Sequence, residues 1–561
     1  MLRSLAHASA FLAASIAPVA FLPSSATAFS LTTFRLQDAS IADINLAFDS
    51  GALTSEQLVQ LYLNRIAAYD QQGPTLNSLI TINPNALQEA KLLDQQRSSI
   101  ADRSPLYGIP IIVKDNFNTF DLPTTGGVLA FDGFVPASDA FQVQKLREAG
   151  AIILGKANLS EFAFSGSTSI SSLGGTTVNP YDPLRSPAGS SGGTGSAIAA
   201  SFATVGLGTD TGGSIRNPSS FNSLVGLRPT IGLSSRSGII PLALSQDTGG
   251  PLARNVFDVA VTLDATVGFD PKDPITALSS GNIPDSYTDF LQVNGLKGAR
   301  IGVVRDLFGS NADPEFAQVN AVIDEAIAFM EAAGATVVDS VTIPKLSEIL
   351  AFPSLSAFEF KYDLEDYLAS DPNAPYDTLQ QIIDSGLFLP SNQSTLVARN
   401  AVPALETNQE YQNIIQNRPG LTQGSLLTAL TGLDALLYPT SQAPPRLNTE
   451  SQRIGSNNRL SAFSGFPAIT LPAGYTAEGL PVGMELLGRA FDEPTLLRLA
   501  YAFEQNKQVR RLPGSVPTLA GEEFEYAAVP EPMTMAGVAL AGLGFTVLHR
   551  QRKGSKLDKL R

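Results

Sequence analysis

Apolar residues recur at three- and four-residue intervals from 41 to 72, IADINLAFDSGALTSEQLVQLYLNRIAAYDQQ, the period of helices with one buried face. Within that stretch Thr54 precedes Gln57 by three places. This marks a capped helix start, because hydroxyl and amide can serve each other's backbone N–H groups. The pattern then shortens. NSLITIN (77–83) and GIPIIVKDN (108–116) are apolar runs bounded by Gly, Pro and Asn, which predicts strands. DAFQVQKLREAG (139–150) returns to helical spacing and stops at Gly150, and AIILGKAN (151–158) is the next strand. The alternation resumes at 298–341 with GARIGVVRD, DEAIAFMEAAG and ATVVDSV. Strand and helix in turn predict an α/β fold, a sheet covered by helices on both faces. No repeat with a period of roughly 20–50 residues is visible, so a solenoid is not expected.

Past about Arg510 the periodicity is lost. RRLPGSVPTLAGEEFEYAAVPEP is Pro-rich and acidic, and 511–529 reads as a linker between a body at 29–510 and a C-terminal segment. Both ends look like sorting signals. Residues 1–28 start with basic Arg3, continue apolar, and offer Ala26-Thr27-Ala28, the small-x-small pattern of a secretory signal peptide. Residues 530–561 carry Pro530-Glu531-Pro532, a charge-free run from Met533 to Leu548, and a basic end. At 1.5 Å per residue that run reaches roughly 24 Å, short of a ~30 Å hydrocarbon core. The order resembles the PEP-CTERM sorting tail of exported bacterial proteins. That resemblance implies transient membrane contact and cleavage near the Pro-Glu-Pro by an exosortase-like enzyme, after a signal peptidase has removed the leader. It also implies an exported protein, in the periplasm, at the cell surface or outside. A plain membrane anchor is the alternative.

Composition narrows the chemistry. The net charge of −15 argues against nucleic acid as a partner, and the two end segments are net positive, so the body is more acidic still. The chain has no cysteine and only two histidines, His7 and His549, both in the end segments. The body therefore offers neither a Ser-His-Asp triad nor a Cys-His pair, and no zinc site built on imidazole or thiolate. No loop of closely spaced carboxylates resembles an EF-hand, and no metal is expected. A catalytic base has to be Lys, Asp, Glu or Tyr.

Three features carry chemistry. Lys114 closes the apolar run 109–113, where desolvation would lower its pKa and make it a neutral base; a lysine that snorkels to water is the plainer reading. Lys156, in AIILGKAN, is the rival base. SPAGSSGGTGSAIAA (186–200) is a Ser/Gly loop that runs straight into the apolar, helix-like AIAASFATVGLG, which a flexible linker would not need to do. GTDTGGSIR (208–216) places Gly212 and Gly213 before Ser214, so that backbone N–H groups beside a hydroxyl can converge on one spot as an oxyanion hole. Rival motifs fail. Neither Gly-rich segment contains the lysine of a P-loop, the Gly206-Leu207-Gly208 spacing breaks the dinucleotide fingerprint, a nucleophile elbow at Ser190 would need Gly where Ala188 stands, and no lysine sits three residues after a serine.

The order lysine, Gly-Ser loop, Gly-Gly-Ser loop resembles the amidase signature family. GIPIIVKDN, AGSSGGTGSAIAA, GLGTDTGGSIRNPSSFNSLVGLRPT, SQDTGGPLAR, DALLYPT and GLPVGMELLGRAFDEPTLLRLAYAFEQ carry the likeness, which runs from about Ile41 to Val509. It implies a single large α/β domain around a mixed, mostly parallel sheet of about eleven strands. It implies a Ser-Ser-Lys triad with Ser214 as acylated nucleophile, Ser190 as bridge through a cis peptide, and Lys114 as base. Thr211, Gly212, Gly213 and Ser214 would form the oxyanion hole, and Asp210 and Arg216 would support it. No cofactor is implied; the substrate would be a small-molecule or peptide amide, hydrolysed to acid plus ammonia or amine. SAFEFKYDLEDYL (356–368) and SQDTGGPLAR are most similar to the bacterial peptide-amidase branch. An esterase with the same triad, or a non-catalytic surface protein on this scaffold, are the other readings.

Overall fold

The computed structural model describes residues 31–527; the leader, the apolar run and the basic tail lie outside the described residues. The helical stretch 41–72 is two helices, Ile41–Asp49 and Ser55–Tyr69, and Thr54 forms the capping box with Gln57. NSLITIN, GIPIIVKDN and AIILGKAN form the strands Leu79–Ile82, Pro110–Lys114 and Ile152–Ala157, as their patterning predicts. AIAASFATVGLG does not stay helical. The helix Gly192–Ala199 stops, the chain reverses through Ser201 at a φ of 58°, and Val205–Asp210 is a strand buried along its whole length.

Eleven strands form one sheet. From one edge the order is Thr336–Asp339, Arg300–Val303, Ala435–Pro439, Pro481–Leu487, Ala468–Tyr475, Val225–Arg228, Thr248–Ala253, Val205–Asp210, Pro110–Lys114, Ile152–Ala157 and Leu79–Ile82. The expectation of a mostly parallel sheet is corrected: four neighbouring pairs are parallel and six antiparallel. The parallel pairs lie in two outer blocks whose strands are separated by crossover helices. The centre is antiparallel and includes the hairpin from Tyr475 to Pro481. Helices cover both faces, so Pro110–Lys114, Ile152–Ala157 and Val205–Asp210 are buried throughout.

Two adjacent parallel strands set up the site. Val113 pairs with Leu207, so Lys114 and Thr209 end their strands at the same edge of the sheet. Carboxyl ends of parallel strands are where open α/β sheets leave a crevice.

The segment 511–529, expected as a linker, is packed against the body through Ala527. Val516 is fully buried, and Glu523–Ala527 forms a two-stranded sheet with Leu31–Arg35. Its anchor is Glu522, which accepts from Arg65 Nη1 at 2.8 Å with both side chains buried. Arg65 also donates to the carbonyls of Ala200, Val516 and Pro517. The Pro-rich composition suggests a spacer, and the long-range pairing that holds it is invisible to a local pattern. Glu522→Ala would leave a buried guanidinium without its counter-charge, a change that typically costs about 3–5 kcal/mol. Hydrogen exchange of the amides of 516–526 should accelerate accordingly while the central strands keep their protection, and unchanged exchange would remove Glu522 as the anchor.

Candidate active site

Lys114 is wholly buried. Its Nζ stands 2.7 Å from Ser190 Oγ and 2.7 Å from Thr209 Oγ1, donating to both when protonated. No carboxylate ion-pairs with it among the described residues. Burial lowers its pKa to about 7, against the weaker pull of Asp210 and Asp247. A neutral amine keeps one lone pair, which can face the Ser190 hydroxyl while an N–H serves Thr209. Thr209 is in turn held by Asn116 Nδ2 at 3.1 Å.

Lys156, the rival, points elsewhere. It pairs in register with Val113, and successive strand residues face opposite sides, so Lys156 and Lys114 project from opposite faces of the sheet. Its Nζ donates to the carbonyls of Phe117 and Pro123 and to the hydroxyls of Thr119 and Thr124, and lies 3.4 Å from Asp115. That cage is saturated and meets no serine.

Ser190 follows Gly189 through a cis peptide bond and leads into the helix Gly192–Ala199. Gly189 is required by crowding: a Cβ there would stand 2.2 Å from the Thr168 carbonyl oxygen. Backbone hydrogen bonds fix the loop, from Gly189 N to Gly166 O and from Ser160 N to Ser190 O. Ser191 N donates to Ser214 O at 3.2 Å, which ties the two serine loops together.

The turn bearing Ser214 is wound around Asp210. This buried carboxylate accepts from Gly213 N at 2.7 Å, Ile215 N at 3.2 Å, Arg216 Nε at 3.0 Å and Arg228 Nη1 at 3.0 Å. Burial pushes Asp210 upward, but Arg216 and Arg228 outweigh it and hold the carboxylate below its ordinary range. Arg216 reaches on to Glu485 at 2.6 Å and to the Asn458 carbonyl at 3.0 Å. Gly213 has a φ of 121°, and a Cβ there would lie 2.8 Å from Asn217 Nδ2, so only glycine fits. Thr211 is pinned by its hydroxyl on Asp247 and by Gln246 Nε2 on its carbonyl.

The four expected oxyanion donors are thus not equivalent. Gly213 N–H is already engaged by Asp210, while the N–H groups of Thr211, Gly212 and Ser214 donate to no group among the described residues. Gly212 is exposed and Ser214 is 5 % exposed, so this side of the turn meets solvent. The structure brings Lys114 and Ser190 into direct contact and sets Ser214 on a loop bonded to theirs, but no hydrogen bond joins Ser214 Oγ to either among the described residues. Thr209, Arg228, Glu485 and Asn458 were not singled out from sequence. Only strand register and long-range pairing bring them here. A concavity of about 690 Å³ beside Asp43, Arg254 and Tyr501 contains none of Lys114, Ser190 and Ser214.

Known proteins resemble this chain over most of their length. The family described as Amidase matches residues 57–497. A probable amidase of Arabidopsis thaliana is 35 % identical over 511 residues, covering 86 % of this chain and 92 % of that protein. A glutamyl-tRNA(Gln) amidotransferase component of Methanosarcina mazei is 34 % identical over 469 residues, covering 81 % and 94 %. Among solved structures, the native peptide amidase from Stenotrophomonas maltophilia superposes with a TM-score of 0.78 at 39 % identity, covering 86 % of this chain and 99 % of its own.

The two lysines should separate in the laboratory. Lys114→Ala is expected to lower kcat by about 10²–10⁴ with folding intact. Lys156→Ala removes the counter-charge of buried Asp115, so it should lower thermal stability while the folded fraction keeps near-normal kcat. Turnover assays beside thermal unfolding check both, and the reverse pattern would make Lys156 the base.

Proposed function

The chain belongs to the amidase family and hydrolyses carbon–nitrogen amide bonds, and on that premise we propose that it works through a serine acyl-enzyme in which Lys114, Ser190 and Ser214 act together. The observation that carries this reading is Lys114 itself: a buried lysine at a pKa of about 7 whose side-chain partners are two hydroxyls. Ser214 Oγ attacks the amide carbon. Its proton passes to Ser190 Oγ, which gives its own proton to Lys114 Nζ. The carbonyl electron pair moves to oxygen, facing the N–H groups of Thr211, Gly212 and Ser214. As that oxyanion collapses, the C–N bond breaks and the proton returns from Lys114 through Ser190 to the leaving nitrogen. Water then repeats the sequence on the acyl ester and releases the acid. The hydrogen bond between Ser214 Oγ and Ser190 Oγ is the contact that bound substrate has to bring about, as is common when free and occupied sites are compared. Each oxyanion donor is typically worth about 3–4 kcal/mol. Gly213 N–H contributes by holding the turn on Asp210.

Peptide C-terminal amides are the substrates we favour, on the 39 % identity and nearly complete coverage of the Stenotrophomonas peptide amidase. Export to the periplasm or beyond is part of the same proposal and rests on the leader-like and tail-like ends.

Two measurements test the mechanism. Ser214→Ala should abolish labelling by an active-site phosphonate, whereas persistent labelling would move the nucleophile elsewhere. The rate kcat/KM should rise with pH through about 7, because Lys114 accepts a proton only once it has lost its own. A rising limb at about 4–5 would indicate a carboxylate base.

A further inference from the structure

Arg399, on the helix Gln393–Asn400, takes no part in the mechanism above. Its guanidinium carbon lies 3.9 Å from the centre of the Phe164 ring and 5.0 Å from that of Phe360. Nη1 is buried without a hydrogen-bond partner, and the residue as a whole keeps an accessible edge. No carboxylate among the described residues counterbalances it; burial lowers its pKa to about 10. The fully buried arginines differ. Arg65, Arg216 and Arg228 each face a carboxylate, and Arg418, enclosed over Phe463, donates to the Pro353 carbonyl.

Arg399 is also placed with care. Glu161 accepts from Leu389 N and Asn392 Nδ2, both at 2.9 Å, and Lys361 Nζ donates to the Asn400 carbonyl, so both ends of its helix are tied down. Phe164 runs into the half-buried rim Ser165–Thr168, whose Gly166 carbonyl accepts from Gly189, the neighbour of Ser190. Two residues of chain and one hydrogen bond connect the Phe164 ring under Arg399 to the Ser190 loop, so the guanidinium and that loop belong to one rim. Two aromatic rings cover much of the guanidinium and limit its contact with water, which strengthens its attraction for an anion. In a chain of net charge −15, an uncompensated cation at the rim selects locally for what the rest of the surface repels.

We propose that Arg399 is a specificity residue that receives a carboxylate on the acyl side of the substrate, one residue before the scissile carbonyl. This rests on the amidase reading and names a substrate class within it: amides of peptides with an acidic penultimate residue. Neutral peptide amides bind without that contact.

The test uses N-acetyl-Glu-Leu-amide and N-acetyl-Gln-Leu-amide. Turnover of the Gln peptide by the native chain tests the amidase reading alone. Calorimetric binding of both peptides to Ser214→Ala tests Arg399 without requiring turnover. The Glu peptide should bind about tenfold or more tightly, a preference that falls with salt and disappears in Ser214→Ala/Arg399→Met. Arg399→Glu should turn the preference toward N-acetyl-Lys-Leu-amide, and circular dichroism checks that each variant folds. Equal binding of the two peptides, or a preference that survives Arg399→Met, overturns the proposal.

Discussion

A single desolvated carboxylate organises the centre of this molecule. Taking Asp210 out of water carries an effective penalty of several kcal/mol, which only charge and hydrogen bonds can offset. Arg216 and Arg228 supply the charge, and the amides of Gly213 and Ile215 supply further bonds. To reach those amides the chain has to turn sharply, and Gly213 absorbs the turn at a φ of 121°. The geometry of the Ser214 loop is therefore the wrapping that makes Asp210 tolerable. Arg216 extends the hold to Glu485 and Arg228 to the Gln246 carbonyl, so distant strands of the sheet are fastened to the same carboxylate.

The arrangement also bears on Lys114. A lone carboxylate near a buried amine would keep that amine protonated. Asp210 does pull Lys114 upward, but its charge is shared between two guanidinium groups, and desolvation prevails. Two buried lysines on neighbouring strands thus meet different environments. Lys156 is surrounded by acceptors and a carboxylate; Lys114 is left with hydroxyls. The difference comes from strand alternation, since Lys114 and Lys156 occupy opposite faces of one sheet.

How much of this is legible in the sequence depends on range. The Thr54 capping box, the stop at Gly150 and the buried runs around Lys114 and Lys156 are local patterns, and the structure follows them. The absence of histidine and cysteine from the body narrows the base to Lys, Asp, Glu or Tyr before any fold is known. Strand direction is not legible, because an apolar run is the same whether its neighbour is parallel or antiparallel. The choice between Lys114 and Lys156 requires register. Thr209 as the second partner of Lys114, and the engagement of Gly213 N–H by Asp210, emerge only in the folded chain, because each is a contact decided by a loop's path.

The C-terminal strap has a consequence for how the chain can be handled. Phe34 stacks on Phe524 at 4.9 Å, and Arg35 pairs with Glu523, so the first and last described strands leave the domain side by side. A short peptide could bridge the two ends. The fold would then accept new ends in a surface loop, with the strands Leu31–Arg35 and Glu523–Ala527 joined at one place on the domain.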